Sequence, residues 1–134
     1  MWASGSKPVD VVVPTSSLYF QRTGASSYDY GMGDFTRDNT WREKDISGIV
    51  PVGTTKVEMS CRFYAAGTPH EMLWRKGGET NSIMFIKRES GDEAREYQWS
   101  FWVDVSNDRK VEYKITAGAM NNLDITILGG FKDV

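Results

Sequence analysis

The chain has 134 residues, enough for one domain with a single core, and its 40% hydrophobic and 25% charged residues exclude disorder along most of its length. A net charge of −2, with 16 basic residues scattered among 18 acidic ones, excludes the gathered cationic face that a nucleic-acid binder needs to displace phosphate counterions. One cysteine, Cys61, excludes an intrachain disulfide and a multi-cysteine metal site, and one histidine, His70, leaves a single base on which any nucleophilic triad would have to be built.

Residues 1–8 (MWASGSKP) lack a basic stretch followed by a long apolar run, so a flexible start is expected, with no visible secretion signal and no membrane insertion. Short strand patterns follow at Val9–Val13 and Ser17–Gln21. From residue 22 to residue 44 (RTGASSYDYGMGDFTRDNTWREK) neither a helical nor an extended period is sustained, which predicts a long loop. Tyr28, Tyr30, Phe35 and Trp41 are spread along it. Exposed rings need something to cover them, so these four are candidate ligand or subunit contacts.

Beyond residue 44 a period of two dominates. Val57, Met59, Cys61 and Phe63 alternate with Glu58, Ser60, Arg62 and Tyr64, and Tyr97, Trp99, Phe101 and Val103 alternate with Gln98, Ser100, Trp102 and Asp104. Val111, Tyr113 and Ile115, then Leu123, Ile125 and Ile127, repeat the pattern. Side chains on a strand point to opposite faces in turn, so each segment predicts a strand with one buried and one wet face, as antiparallel sheets have. Weaker strand patterns lie at Glu71–Arg75 and Ser82–Arg88, the latter apolar enough at Ile83–Ile86 for burial on both faces. Turn sequences at 51–54 (PVGT), 67–70 (GTPH), 76–79 (KGGE), 90–93 (SGDE) and 106–109 (SNDR) separate the strands. The expected fold is all-β, a single two-sheet antiparallel sandwich of jelly-roll type spanning 1–134, with little or no helix.

Chemistry is sparse in this pattern. His70 sits in a turn sequence and Cys61 points to a core face, so no nucleophile–base pair is expected. Glu89, Asp92, Glu93 and Glu96 could form a glycosidase carboxylate pair but read better as a solvated hairpin tip. Asp104, Asn107 and Asp108 could hold calcium but read better as turn-forming residues. No enzyme activity, metal or cofactor is expected. Trp102, on the wet side of its strand, and Trp74, which shares a side with Met72 and fits either face, bring the candidate contact rings to six. Such a ring stacks on a sugar or is buried by another subunit.

Several motifs resemble a known family. These are the run 45–54 (DISGIVPVGT), then 73–78 (LWRKGG), then 103–114 (VDVSNDRKVEYK) and the terminal 124–131 (DITILGGF). They are similar to the strand and turn signatures of small β-sandwich domains from bacteriophage tail-fibre and other virion-associated structural proteins. Residues 1–40 lie outside the likeness, and Gly130 stands where the family more often has a ring. The resemblance implies a non-enzymatic component of a virion surface, commonly a homotrimer, that contacts other virion proteins and reaches host carbohydrate. A monomeric carbohydrate-binding module of lectin type is the alternative expectation.

Overall fold

The alternating segments pair into two antiparallel sheets in the computed structural model. It describes the backbone of residues 17–22, 28–65, 70–80, 85–89, 95–116 and 120–133, and their side chains except at 63–65, 70, 85–89, 95–97 and 120–121. The strands are β1 (Ser17–Gln21), β2 (Arg42–Asp45), β3 (Thr54–Ala65), β4 (His70–Lys76), β5 (Phe85–Glu89), β6 (Arg95–Asp104), β7 (Lys110–Ile115) and β8 (Met120–Asp133). One sheet has the order β1-β8-β3-β6 and the other β2-β7-β4-β5.

The pairing is nested: β4 pairs with β5, β3 with β6, β2 with β7 and β1 with β8. A long antiparallel ribbon closed by β4 and β5 and rolled so that alternate strand pairs enter opposite sheets gives this order, which is the jelly roll. The expected fold is therefore the observed one. Among the described residues the only helical turn is the 3-10 segment Met32–Asp34, and no helix is long and apolar enough to cross a membrane.

The core lies between the sheets and follows the expected rows. Val57, Met59 and Cys61 from β3, Phe101 and Val103 from β6, and Leu123, Ile125 and Ile127 from β8 face Met72 and Trp74 from β4 and Val111, Tyr113 and Ile115 from β7. Trp74 is central, with Phe35, Phe101 and Tyr113 at 6.0, 5.7 and 5.9 Å between ring centroids. Its indole N–H has no hydrogen-bond partner among the described residues, so the ring is held by packing alone. The Tyr113 hydroxyl is satisfied, accepting the Thr36 N–H at 2.9 Å.

The long loop expected over 22–44 is corrected in part. Its last residues enter β2, which begins at Arg42, and its middle forms the 3-10 turn and an isolated bridge between Tyr30 and Ile125. β2 is Arg-Glu-Lys-Asp, which has no apolar alternation to announce it. It pairs because β7 offers a free edge and because Lys44 reaches over the sandwich end, 4.5 Å from the Tyr30 ring centroid and 5.1 Å from that of Phe35. The strand pattern at Val9–Val13 and the turns at 67–69 and 90–93 lie outside the described residues. So does the first part of Ser82–Arg88, whose remainder forms β5.

Tyr30 joins the first sheet where β1 leaves off. β1 ends at Gln21, and beyond it Ile125 exchanges backbone hydrogen bonds with Tyr30 along the same edge of β8. Between these two points the Asp29 carboxylate accepts the Ile127 N–H at 2.8 Å, and Arg22 donates to the Ile127 carbonyl at 3.0 Å. Arg22 and Asp29 also bond each other at 2.5 Å. Two side chains thus fill the gap in an edge strand, where an unpaired amide would be costly.

Candidate functional site

The outer face of the β1-β8-β3-β6 sheet carries the most distinctive surface. Its character comes from one extra residue in β8. Met59 pairs with Ile127 and Glu58 with Gly129, so Leu128 is a bulge that shifts the phase of everything after it. Without the bulge, Phe131 would continue the inward row of Leu123, Ile125 and Ile127. With it, Gly130 turns inward and Phe131 turns out.

Two rows of cross-strand neighbours result. The first is Tyr19, Phe131, Lys56 and Asp104, and the second is Gln21, Gly129, Glu58 and Trp102. Phe131 meets Tyr19 edge-on, centroids 5.4 Å apart, and stacks on Trp102 at 5.6 Å with an interplanar angle of 30°. Because Trp102 belongs to the second row and Phe131 to the first, their stack crosses β3 diagonally between Lys56 and Glu58. Tyr19 is 49% exposed, and Phe131 and Trp102 are each 37% exposed, so three touching rings stay open to a partner.

Gly129 and Gly130 make this packing feasible. A Cβ at Gly129 would lie 2.3 Å from the Phe20 carbonyl oxygen and 3.0 Å from the Tyr19 hydroxyl. One at Gly130 would lie 2.2 Å from the Lys56 carbonyl oxygen and 3.0 Å from the Phe20 ring. Successive rings of β1 therefore lie on opposite sides of the glycine pair, Tyr19 outside and Phe20 against the core. Only a residue without a side chain allows that approach.

Charge on the same face is unevenly matched. Lys56 pairs with Asp104 at 3.5 Å, and both remain substantially exposed. Farther along, Arg62 reaches Asp124 at 2.7 Å, and Asn122 donates to the same carboxylate oxygen at 3.2 Å. Between these pairs, Ser60, Ser100 and Thr126 form a row of hydroxyl-bearing side chains. Glu58 has neither a hydrogen bond nor an ion pair among the described residues.

The structure divides the candidate rings. Trp102 is in the exposed cluster, as expected. Tyr28 is 51% exposed but stands apart, its ring against Gly31. Phe35 and Trp74 are buried at 7% and 1% exposure, which corrects their assignment to a contact surface: the T-shaped contact between them is part of the core. Tyr30 is partly buried under Lys44, and burial, with Asp29, Asp45 and Asp34 nearby, pushes its hydroxyl pKa up to about 12. Trp41 is covered by the Arg75 guanidinium, 3.8 Å above its ring. Tyr19 and Phe131 were missed. A strand signal was present at 17–21, and the glycine pair at 129–130 marked the irregularity that turns Phe131 outward.

Nucleophilic or metal chemistry has little support among the described residues. Burial, reinforced by the charge of Asp124, pushes the Cys61 thiol far above its ordinary range, so it is held as a thiol in the core. Asp108 is engaged in its own turn, accepting from the Ser106 hydroxyl at 2.5 Å, and Asp104 faces Lys56. No group of three His, Cys, Asp or Glu residues that could hold a metal ion occurs among the described residues. The side chains of Glu89, Asp92, Glu93 and Glu96 lie outside them. Compared with protein-family models and with curated proteins, the sequence matches none.

Proposed function

We propose that this jelly roll is a non-enzymatic assembly and recognition domain of a virion surface, of the tail-fibre kind, working through the ring-bearing face of its first sheet. The observation that carries the reading is the contiguous, exposed cluster of Tyr19, Phe131 and Trp102 on an otherwise polar face. The exposed parts of these rings amount to roughly 250 Å² per copy. Covering them gains on the order of 6 kcal/mol per copy at about 25 cal/mol per Å². Association costs on the order of 4–15 kcal/mol, so two such faces would hold together modestly and reversibly. Jelly rolls serve in viral capsids and in lectins alike, and this likeness of fold raises both readings.

Ring geometry favours a protein partner. The planes of Phe131 and Tyr19 differ by 65° and those of Phe131 and Trp102 by 30°, which makes a ridged surface rather than a flat platform for a sugar. Light scattering on purified protein tests the reading. The expected result is an oligomer at high micromolar concentration that Trp102→Ser or Phe131→Ser shifts towards monomer, and a strict monomer removes the assembly role.

A second reading, a monomeric carbohydrate-binding module, is favoured by the hydroxyl row of Ser60, Ser100 and Thr126 beside Trp102. It predicts glycan-dependent quenching of tryptophan fluorescence that disappears in Trp102→Ala and persists in Trp41→Ala, whose ring lies beneath Arg75.

A further inference from the structure

The assembly reading leaves the partner and its orientation open, and the two rows of the ring-bearing face carry information on both. We infer that the partner is a second copy of this chain, docked face to face about a two-fold axis that runs across the strands at the level of Val57. This inference rests on the assembly reading above.

A symmetric contact requires a patch complementary to itself. The two rows have that property with respect to each other. An axis across the strands keeps each strand over its own counterpart and exchanges the rows, so the first row of one copy faces the second row of the other. Along the sheet, Tyr19 then faces Gln21, Phe131 faces Gly129, Lys56 faces Glu58, and Asp104 faces Trp102, each pair occurring twice. The carboxylate without a partner among the described residues meets an amine held only by an exposed pair with Asp104 at 3.5 Å. Asp104 meets the edge of the Trp102 indole, which carries partial positive charge.

The alternative axis, along the strands, keeps the rows in place. It reverses the order of the strands, so that laid over β3 it would set Lys56 against Lys56 and Glu58 against Glu58, opposing like charges. Packed sheets sit about 10 Å apart, a gap that a lysine and a glutamate side chain span together. Over β3, charge therefore selects the axis across the strands.

The test uses charge reversal and the full chain. Lys56→Glu and Glu58→Lys each place like charges in both reciprocal pairs, so each variant alone should dimerise about tenfold or more weakly than wild type. Mixing the two variants places opposite charges in both pairs of the heterodimer. The mixture should regain association to within about threefold of wild type, as should the double variant carrying both changes. Recovery on mixing also shows that each variant is folded. Sedimentation velocity reads every arm. Wild type that stays monomeric overturns the assembly reading and this inference with it. An oligomer that neither reversal weakens, or reversals that mixing fails to rescue, overturns the two-fold arrangement while leaving assembly intact.

Discussion

The outer faces of the two sheets come from the same alternation and meet their polar demands differently. On the β2-β7-β4-β5 sheet, Glu112 accepts Arg75 at 2.7 Å and the Gly78 N–H at 2.9 Å, which ties β7 to β4 and to the turn after it. Arg75 lies on Trp41, and Lys110 bridges Glu43 at 3.3 Å and Asp108 at 3.6 Å. Here ring and charge satisfy each other within the chain. On the β1-β8-β3-β6 sheet, the rings gather with rings, and Glu58 has no partner among the described residues. A face closed on itself contributes to stability, whereas a face with unmet demand is available to a partner. Mutations should separate these roles.

The largest expected loss of stability is on the closed face. Glu112→Ala strands the Arg75 guanidinium, whose side chain is 11% exposed, and should cost about 2–4 kcal/mol in urea unfolding. A loss below about 0.5 kcal/mol would mean that this network contributes little. Next comes Trp41→Ala, which removes the ring beneath Arg75 and should cost about 1 kcal/mol while leaving the particle mass unchanged. Trp102→Ala should cost about 1 kcal/mol or less, the worth of its stack on Phe131, yet lower the particle mass. Were Trp41 and Trp102 to exchange these outcomes, the open face would be the wrong one.

The smallest effect is a pH dependence at the sandwich end. Tyr30 has its pKa raised to about 12, chiefly by burial, above its ordinary 10.0. The folded state thus favours the neutral phenol, so this contribution to stability is complete below pH 10 and fades as pH rises through about 12. Tyr30→Phe should remove that fading, so that unfolding in alkali shifts to higher pH relative to the parent's. Ultraviolet difference absorbance of the phenolate would follow it.

The strands with a clean period of two were legible because one rule, burial of alternate side chains, acts locally along each of them. β2 was not legible, since Arg42–Asp45 has no buried row and takes its place from the edge of β7 and from Lys44. Phe35 was assigned to a surface because the sequence does not say which loop folds across the open end of a sandwich, and Trp74 because the side it shares with Met72 fits either face of its strand. Phe131 was hidden for another reason. A bulge at Leu128 reverses the phase of a strand, and an extrapolated alternation carries every later residue to the wrong side. The candidate surface therefore arose where the periodic rule broke.

The gap that Arg22 and Asp29 fill has a consequence for how this protein tolerates change. These two side chains are bonded to each other and to both backbone groups of Ile127. Replacing Asp29 by Ala would take the acceptor from the Ile127 N–H and the carboxylate from Arg22 in one step. Arg22 and Asp29 thus act as a clasp that keeps this stretch of β8 from offering a bare edge to a foreign strand.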